Sequence, residues 1–119
     1  MLTESAPSVL IVASSSSQAS SAAELCRRVG FNTHLAHTGK YGLEQIRKNP
    51  PRVILTDGTL PDMNATAFAP AARKALGNKP VVIVAWSSSP ESEEALLAPD
   101  SGIDDFVLKS TLPAKVQNF

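Results

Sequence analysis

Five short apolar segments recur along the chain, at residues 9–13, 33–36, 53–56, 81–86 and 106–108. The second is the weakest; the others are unbroken apolar runs rich in β-branched residues. A strand with one face in water alternates apolar and polar residues, so an unbroken run implies burial on both faces, as in a parallel sheet covered by helices. The intervening stretches are long enough for crossover helices. Strand then helix, repeated five times, predicts a three-layer (βα)5 α/β domain: a five-stranded parallel sheet with helices on both faces.

The helices have legible ends. Residues 16–29 place Ala22, Leu25, Cys26 and Val29 on one face, with Gly30 as a C-cap. Cys26 therefore reads as a small core residue. A second helix runs over 40–48, with Tyr41, Leu43 and Ile46 as its apolar positions, Thr38 as its cap and Pro50-Pro51 as its stop. The third lies within 65–76. Pro70 inside that window predicts a start near Phe68 or a kink, because proline fits only the first helical turn. The fourth opens at Ser89-Pro90-Glu91 and ends at Pro99, and the last spans 112–119, so both are short. Residues 1–7 are expected to be a flexible lead-in to a single domain over 1–119.

Composition narrows the function. Eleven Lys and Arg balance eleven Asp and Glu, which argues against a polybasic nucleic-acid binder. The longest apolar run, residues 81–86, is far below the ~20 residues of a membrane span. No secretory leader is visible, and one cysteine forms no internal disulfide. A cytoplasmic protein without nucleic-acid or membrane partners is the expectation.

In such a sheet, ligands bind outside the carboxyl ends of the strands. The residues there are Ala13 and Ser14 after the first strand, Asp57 after the third, residues 85–87 after the fourth and Lys109 after the fifth. The bland alternative for Asp57 is a turn former in Asp57-Gly58 or a helix cap. His34 and His37 flank the second strand with no third ligand type nearby and read as surface or loop residues. Trp86 reads as a packing or partner-facing aromatic.

The segments Ser8-Val-Leu-Ile-Val12, Val53-Ile-Leu-Thr-Asp57, Leu60-Pro-Asp-Met63 and Gly102-Ile-Asp-Asp-Phe-Val-Leu-Lys109 resemble those of response-regulator receiver domains, of the chemotaxis-regulator type, with a flavodoxin-like fold. That resemblance implies a bacterial two-component signalling protein, not an enzyme. By position Asp57 resembles the phosphoacceptor served by a histidine kinase, Lys109 the phosphate-binding lysine and Phe106 the switch aromatic. The hydroxyl after the fourth strand falls at Ser87 when counted from Asp57 and Lys109, and at Ala85 when counted from Pro80.

The departures bear on mechanism. Where the family carries its acidic pair, this chain has Ala13 and Ser14. Mg²⁺ prefers several oxygen ligands and is usually held through carboxylates, so weak or absent Mg²⁺ binding is expected. Without the metal, transfer to Asp57 slows severely. Ser110 stands where the family has a cis-proline, and a cis bond before a non-proline residue costs ~3 kcal/mol, so a trans bond is expected.

The leading reading is thus a degenerate, or pseudo-, receiver domain acting as a protein-interaction module. The resemblance implies signalling partners, a kinase or an output domain, or a second copy in a homodimer, met through the face of the fourth helix, fifth strand and fifth helix. The last helix is incomplete at Phe119, which favours a piece of a larger regulator. One alternative keeps Asp57 as a true phosphoacceptor, with Asp62 helping to recruit Mg²⁺. Another, of a different class, is a flavodoxin-like anion- or nucleotide-binding module built on the serines at 14–17, whose amides and hydroxyls open a helix.

Overall fold

The computed structural model describes residues 6–119. Strands β1 (Ser8–Val12), β2 (Asn32–Ala36), β3 (Val53–Asp57), β4 (Val82–Ser87) and β5 (Asp105–Leu108) form one parallel sheet in the order β2-β1-β3-β4-β5. Between and after them run α1 (Ser16–Arg28), α2 (Gly39–Lys48), α3 (Ala65–Leu76), α4 (Glu93–Leu96) and α5 (Leu112–Lys115). The expected (βα)5 architecture is what the chain adopts, including the short α4 and α5, which are extended only by 3₁₀ turns at Pro90–Ser92, Lys109–Thr111 and Val116–Asn118. The strand order reverses between β1 and β3, which opens a crevice above their carboxyl ends.

Alternation along each buried strand divides the core in two. Leu10, Val12, Ile54, Ile83 and Ala85 face Ile46 of α2, Phe68 and Leu76 of α3 and Leu96 of α4. Val9, Ile11, Ala13, Leu55, Val84, Trp86 and Val107 face Ala19, Ala22 and Cys26 of α1 together with Leu112 and Val116. All five residues of β3 are buried, as an unbroken apolar run at the centre of a sheet requires. Cys26 lies fully in the core, where burial pushes its thiol up to about 11.

Capping sets the helix starts. Ser15 accepts from the Gln18 amide at α1, and Thr38 from the Tyr41 amide at α2. Gly30 follows α1 at φ +103, a conformation an L side chain resists.

Several expectations are corrected. Val29 and Tyr41, read as core-facing, are exposed at 39% and 48%: the helix faces turn instead on Ala19, Ala22, Ala23 and Cys26, and on Gly39, Gly42 and Ile46. Small residues take the inner faces because α2 packs closely on both the sheet and α3; a Cβ on Gly42 would sit 3.4 Å from Val12 of β1 and 3.2 Å from the Phe68 ring of α3.

Helix α3 does not wait for Phe68 but starts at Ala65 and runs through Pro70. The loop before β5 braces it there. Arg73 Nε donates to the Gly102 carbonyl at 2.8 Å, and its guanidinium meets Asp104 at 2.6 Å. Gly102, at φ +78, lets the loop backbone approach Ala69 and Pro70, where a Cβ would be 3.4 Å from the Pro70 nitrogen. The hydrogen bond that proline removes is thus offset by contacts from outside the helix.

Of the expected flexible lead-in, Ala6 and Pro7 are tied to the sheet, their carbonyls accepting from the Asn32 side chain and backbone. Residues 1–5 lie outside the described residues. Ser89 precedes its 3₁₀ turn, but its hydroxyl donates to Glu91 at 2.7 Å instead of capping an amide.

Candidate functional site

Above the carboxyl ends of β1, β3 and β4 lies a cleft of about 440 Å³, its wall formed in part by Ser14, Gln18, Asp57, Asn64, Ser87 and Lys109. Strand register builds it. Asp57, the last residue of β3, pairs with Trp86 of β4, which leaves Ser87 one step further out at the rim. Gly58 donates to the Trp86 carbonyl, so the chain turns away from the sheet immediately after Asp57.

Asp57 is 6% exposed. Its Oδ1 is 2.6 Å from Lys109 Nζ, and its Oδ2 accepts a 3.4 Å bond from the Ser14 amide. A buried carboxylate needs a counter-charge and donors, and here the first is a lysine of the same chain. Lys109 Nζ also donates to Gln18 Oε1 at 2.8 Å and stands 4.8 Å from the centre of the Trp86 ring. A cation at that distance over an indole face is attracted by the ring quadrupole. The ammonium thus has three partners: a carboxylate, an amide oxygen and an aromatic face.

The positions singled out in the sequence separate into those at the cleft and those away from it. Asp57, Lys109, Ser14 and Ser87 line it together. Ala85 does not: it is fully buried in the α2–α3 side of the core, paired across from Phe106. One residue, Trp86, separates Ala85 from Ser87, so the two share a face of β4; Ser87 reaches the cleft because it is the last residue of the strand, beyond the pairing with β3. Ser87 Oγ is engaged by its own loop, accepting from the Ser89 amide at 3.0 Å and the Ser92 hydroxyl at 3.1 Å. Phe106 is half-buried against the same core as Ala85.

Ala13 is fully buried on the α1 side. Its amide donates to the Ala36 carbonyl, and its own carbonyl meets His37 Nδ1 at 2.9 Å. His37 is therefore a backbone anchor, and His34 an exposed residue within β2. The Lys109–Ser110 bond is trans, as are all peptide bonds of the described residues.

Asp62 does not line the cleft with Asp57. Both its oxygens cap α2, accepting from the Gly39 amide at 2.8 Å and the Lys40 amide at 2.9 Å, and these bonds hold its carboxyl below the usual range. Of the serines at 14–17, Ser15 and Ser17 are likewise spent locally. Ser15 caps α1, and its hydroxyl lies 3.2 Å from that of Ser17.

Sequence reasoning missed Gln18 and the placement of Lys109 over Trp86. Gln18 is in the first turn of α1, the turn that must face the strand ends in this fold, and that position was the available signal.

The donor set does not fit a hard dication. It offers one carboxylate already neutralised by Lys109, a buried methyl at Ala13 and an exposed hydroxyl at Ser14. Among the described residues no group of three His, Cys, Asp or Glu side chains could hold a metal. Mg²⁺ wants near-octahedral oxygen coordination, usually with one or two carboxylates.

A family model described as the response regulator receiver domain matches residues 9–118. The DNA-binding response regulator MtrA of Mycolicibacterium paratuberculosis (strain ATCC BAA-968 / K-10) is 28% identical over 108 residues, covering 91% of this chain and 47% of that protein. Its counterpart in Mycolicibacterium smegmatis is 29% identical over 108 residues, covering 91% and 46%. The chain spans about half the length of the curated relatives it matches. Among solved structures, a CheY-like receiver domain protein from Methanospirillum hungatei JF-1 superposes with a TM-score of 0.81 at 21% identity, covering 94% of this chain and 88% of that one. CheY4, a chemotaxis response regulator of Vibrio cholerae, gives 0.79 at 20% identity, with 94% and 97% covered. These likenesses show the fold.

Proposed function

The chain belongs to the response-regulator receiver family, and from that premise we propose that it is an atypical member: a signalling module that works through protein contacts without conventional metal-dependent phosphorylation. The observation that carries this reading is the 2.6 Å pair between Asp57 and Lys109 beside Ala13 and Ser14. Phosphoryl transfer relies on cations placed to absorb charge in the transition state. Here Lys109 is the cation, and it is committed to the ground-state carboxylate. A phosphoryl donor must approach a near-neutral cleft with no acidic pair to bring a metal.

The module's role is then to be recognised, not to catalyse. Its partners are signalling proteins, a kinase or an output domain, or a second copy of the chain, and its place is the cytoplasm. No helix among the described residues is long and apolar enough to cross a membrane. Contact is proposed through α4, β5 and α5, where the two helices have four residues each and leave the edge strand comparatively bare.

The test is incubation with a small phosphodonor and Mg²⁺, followed by intact-mass analysis, with Trp86 fluorescence recorded during a Mg²⁺ titration. The expected result is no adduct and a flat titration. A phosphoryl adduct that disappears in Asp57→Asn establishes Asp57 as an acceptor and overturns the reading.

A further inference from the structure

Gln18 has no role in the reading above, yet it is the residue that completes the surroundings of Lys109. It contributes to the walls of two cavities. One is the polar cleft over Asp57; the other is a more apolar groove of about 440 Å³ between α1 and α5, formed by Ala22, Leu25, Leu112 and Pro113 among others. Trp86 and Lys109 also border both. The three side chains form one partition, and the 2.8 Å bond from Lys109 Nζ to Gln18 Oε1 ties its helix side to its strand side.

We propose that Gln18 is a positioning residue that holds the Lys109 ammonium over the Trp86 ring and against Asp57. This deepens the reading of Lys109 as the resident cation and rests on it. A lysine side chain has four rotatable carbons and large rotamer freedom. Asp57 alone leaves the ammonium free to swing about one contact. A second acceptor on a different element fixes the direction of approach, and the indole face receives the remaining side of the charge. Lys109 is 22% exposed in its side chain, so water competes for it and a second protein acceptor matters. Freed from Gln18, the ammonium would spend part of its time in the cleft opening.

The sole tryptophan reports on this directly. In the folded full chain, the ¹H–¹⁵N resonance of the Trp86 indole and its emission intensity are measured for Gln18→Ala, Gln18→Glu, Lys109→Met and the Gln18→Ala/Lys109→Met double variant. Gln18 is exposed and caps nothing with its side chain, so its variants fold; far-UV dichroism verifies this. Lys109→Met is expected to move the resonance by removing the charge. Gln18→Ala is expected to move it in the same direction, through a roughly fivefold loss in the population with the ammonium over the ring, the size of one charge-assisted bond discounted for exposure. Gln18→Glu, which keeps an oxygen in reach, returns it toward the wild-type position. The double variant matches Lys109→Met, because Gln18 acts only through the lysine. An indole resonance unmoved by Gln18→Ala, or moved equally with and without Lys109, overturns the proposal. Intact-mass analysis stays separate: an Asp57 adduct in a protein whose indole still responds to Gln18 through Lys109 refutes metal-free signalling and leaves the positioning role standing.

Discussion

Lys109→Met removes the cation from the site while keeping much of its apolar stem. Two unit charges 2.6 Å apart attract by roughly 6 kcal/mol at an effective dielectric of ~20. Most of that is cancelled by the cost of taking both groups out of water. What the variant measures is different: the cost of leaving Asp57, 8% exposed in its side chain, with the long Ser14 amide contact as its remaining donor. Breaking a fully buried pair costs ~3–5 kcal/mol and an exposed one ~0–1. With one partner nearly closed off and the other 22% exposed, the site falls between, and about 2 kcal/mol is expected. For a chain of this size that lowers Tm by roughly 6–10 °C. Urea denaturation followed by far-UV dichroism gives the free energy without depending on the altered indole. The Asp57→Asn/Lys109→Met double variant has no charge left to strand and is expected to regain about 1 kcal/mol or more relative to Lys109→Met. A Lys109→Met loss below about 0.5 kcal/mol, or a double variant no more stable than the single one, refutes the view that Lys109 neutralises Asp57 in the folded protein.

Two further outcomes follow from groups away from the cleft. Asp62→Ala is expected to lower thermal stability by stripping two acceptors from the start of α2. Because the Asp62 carboxyl is held below its unfolded value, its contribution is present above the ordinary aspartate range and fades as pH falls through the lowered folded value. Scanning calorimetry down that range therefore shows the gap between wild type and Asp62→Ala closing, and a gap that widens in acid contradicts the assignment. Cys26, with its thiol pushed up to about 11 by burial, is expected to resist a maleimide at neutral pH until denaturant unfolds the chain, which intact mass reads directly.

The parts of the fold legible in the sequence are those where one physical demand dominates. Burial on both faces made residues 53–56 and 81–86 recognisable as central strands, and the strand ends then located Asp57, Ser87 and Lys109. Tyr41 and Val29 misled because hydropathy marks what could be buried, whereas helix-to-sheet spacing decides what fits. Here glycine and alanine carry α1 and α2 inward and push larger residues out. Pro70 misled because its cost is local and its compensation is not: Arg73, Gly102 and Asp104 are up to 34 residues away in the chain. Asp62 has the same character. Nothing in Leu60-Pro-Asp-Met63 says that the aspartate caps a helix begun 23 residues earlier. Counting from two anchors gives Ser87 and from one gives Ala85; the first lines the cleft at the end of β4, and the second lies one pleat lower in the core.

Ala13 links the charge balance to the site. A carboxylate at that position would enter a core of Val9, Ile11, Ala19 and Leu55, and the backbone there is already spent on Ala36 and His37. Burying a charge without a partner is costly, and Lys109 is already divided among Asp57, Gln18 and Trp86. In the proposed reading, alanine and serine at 13 and 14 and a lysine committed to Asp57 are two sides of one arrangement. Lys109 cancels the charge of Asp57 in place. Net neutrality thus holds for the Asp57–Lys109 pair as well as over the whole sequence, and an acid introduced at position 13 alone would unbalance that pair.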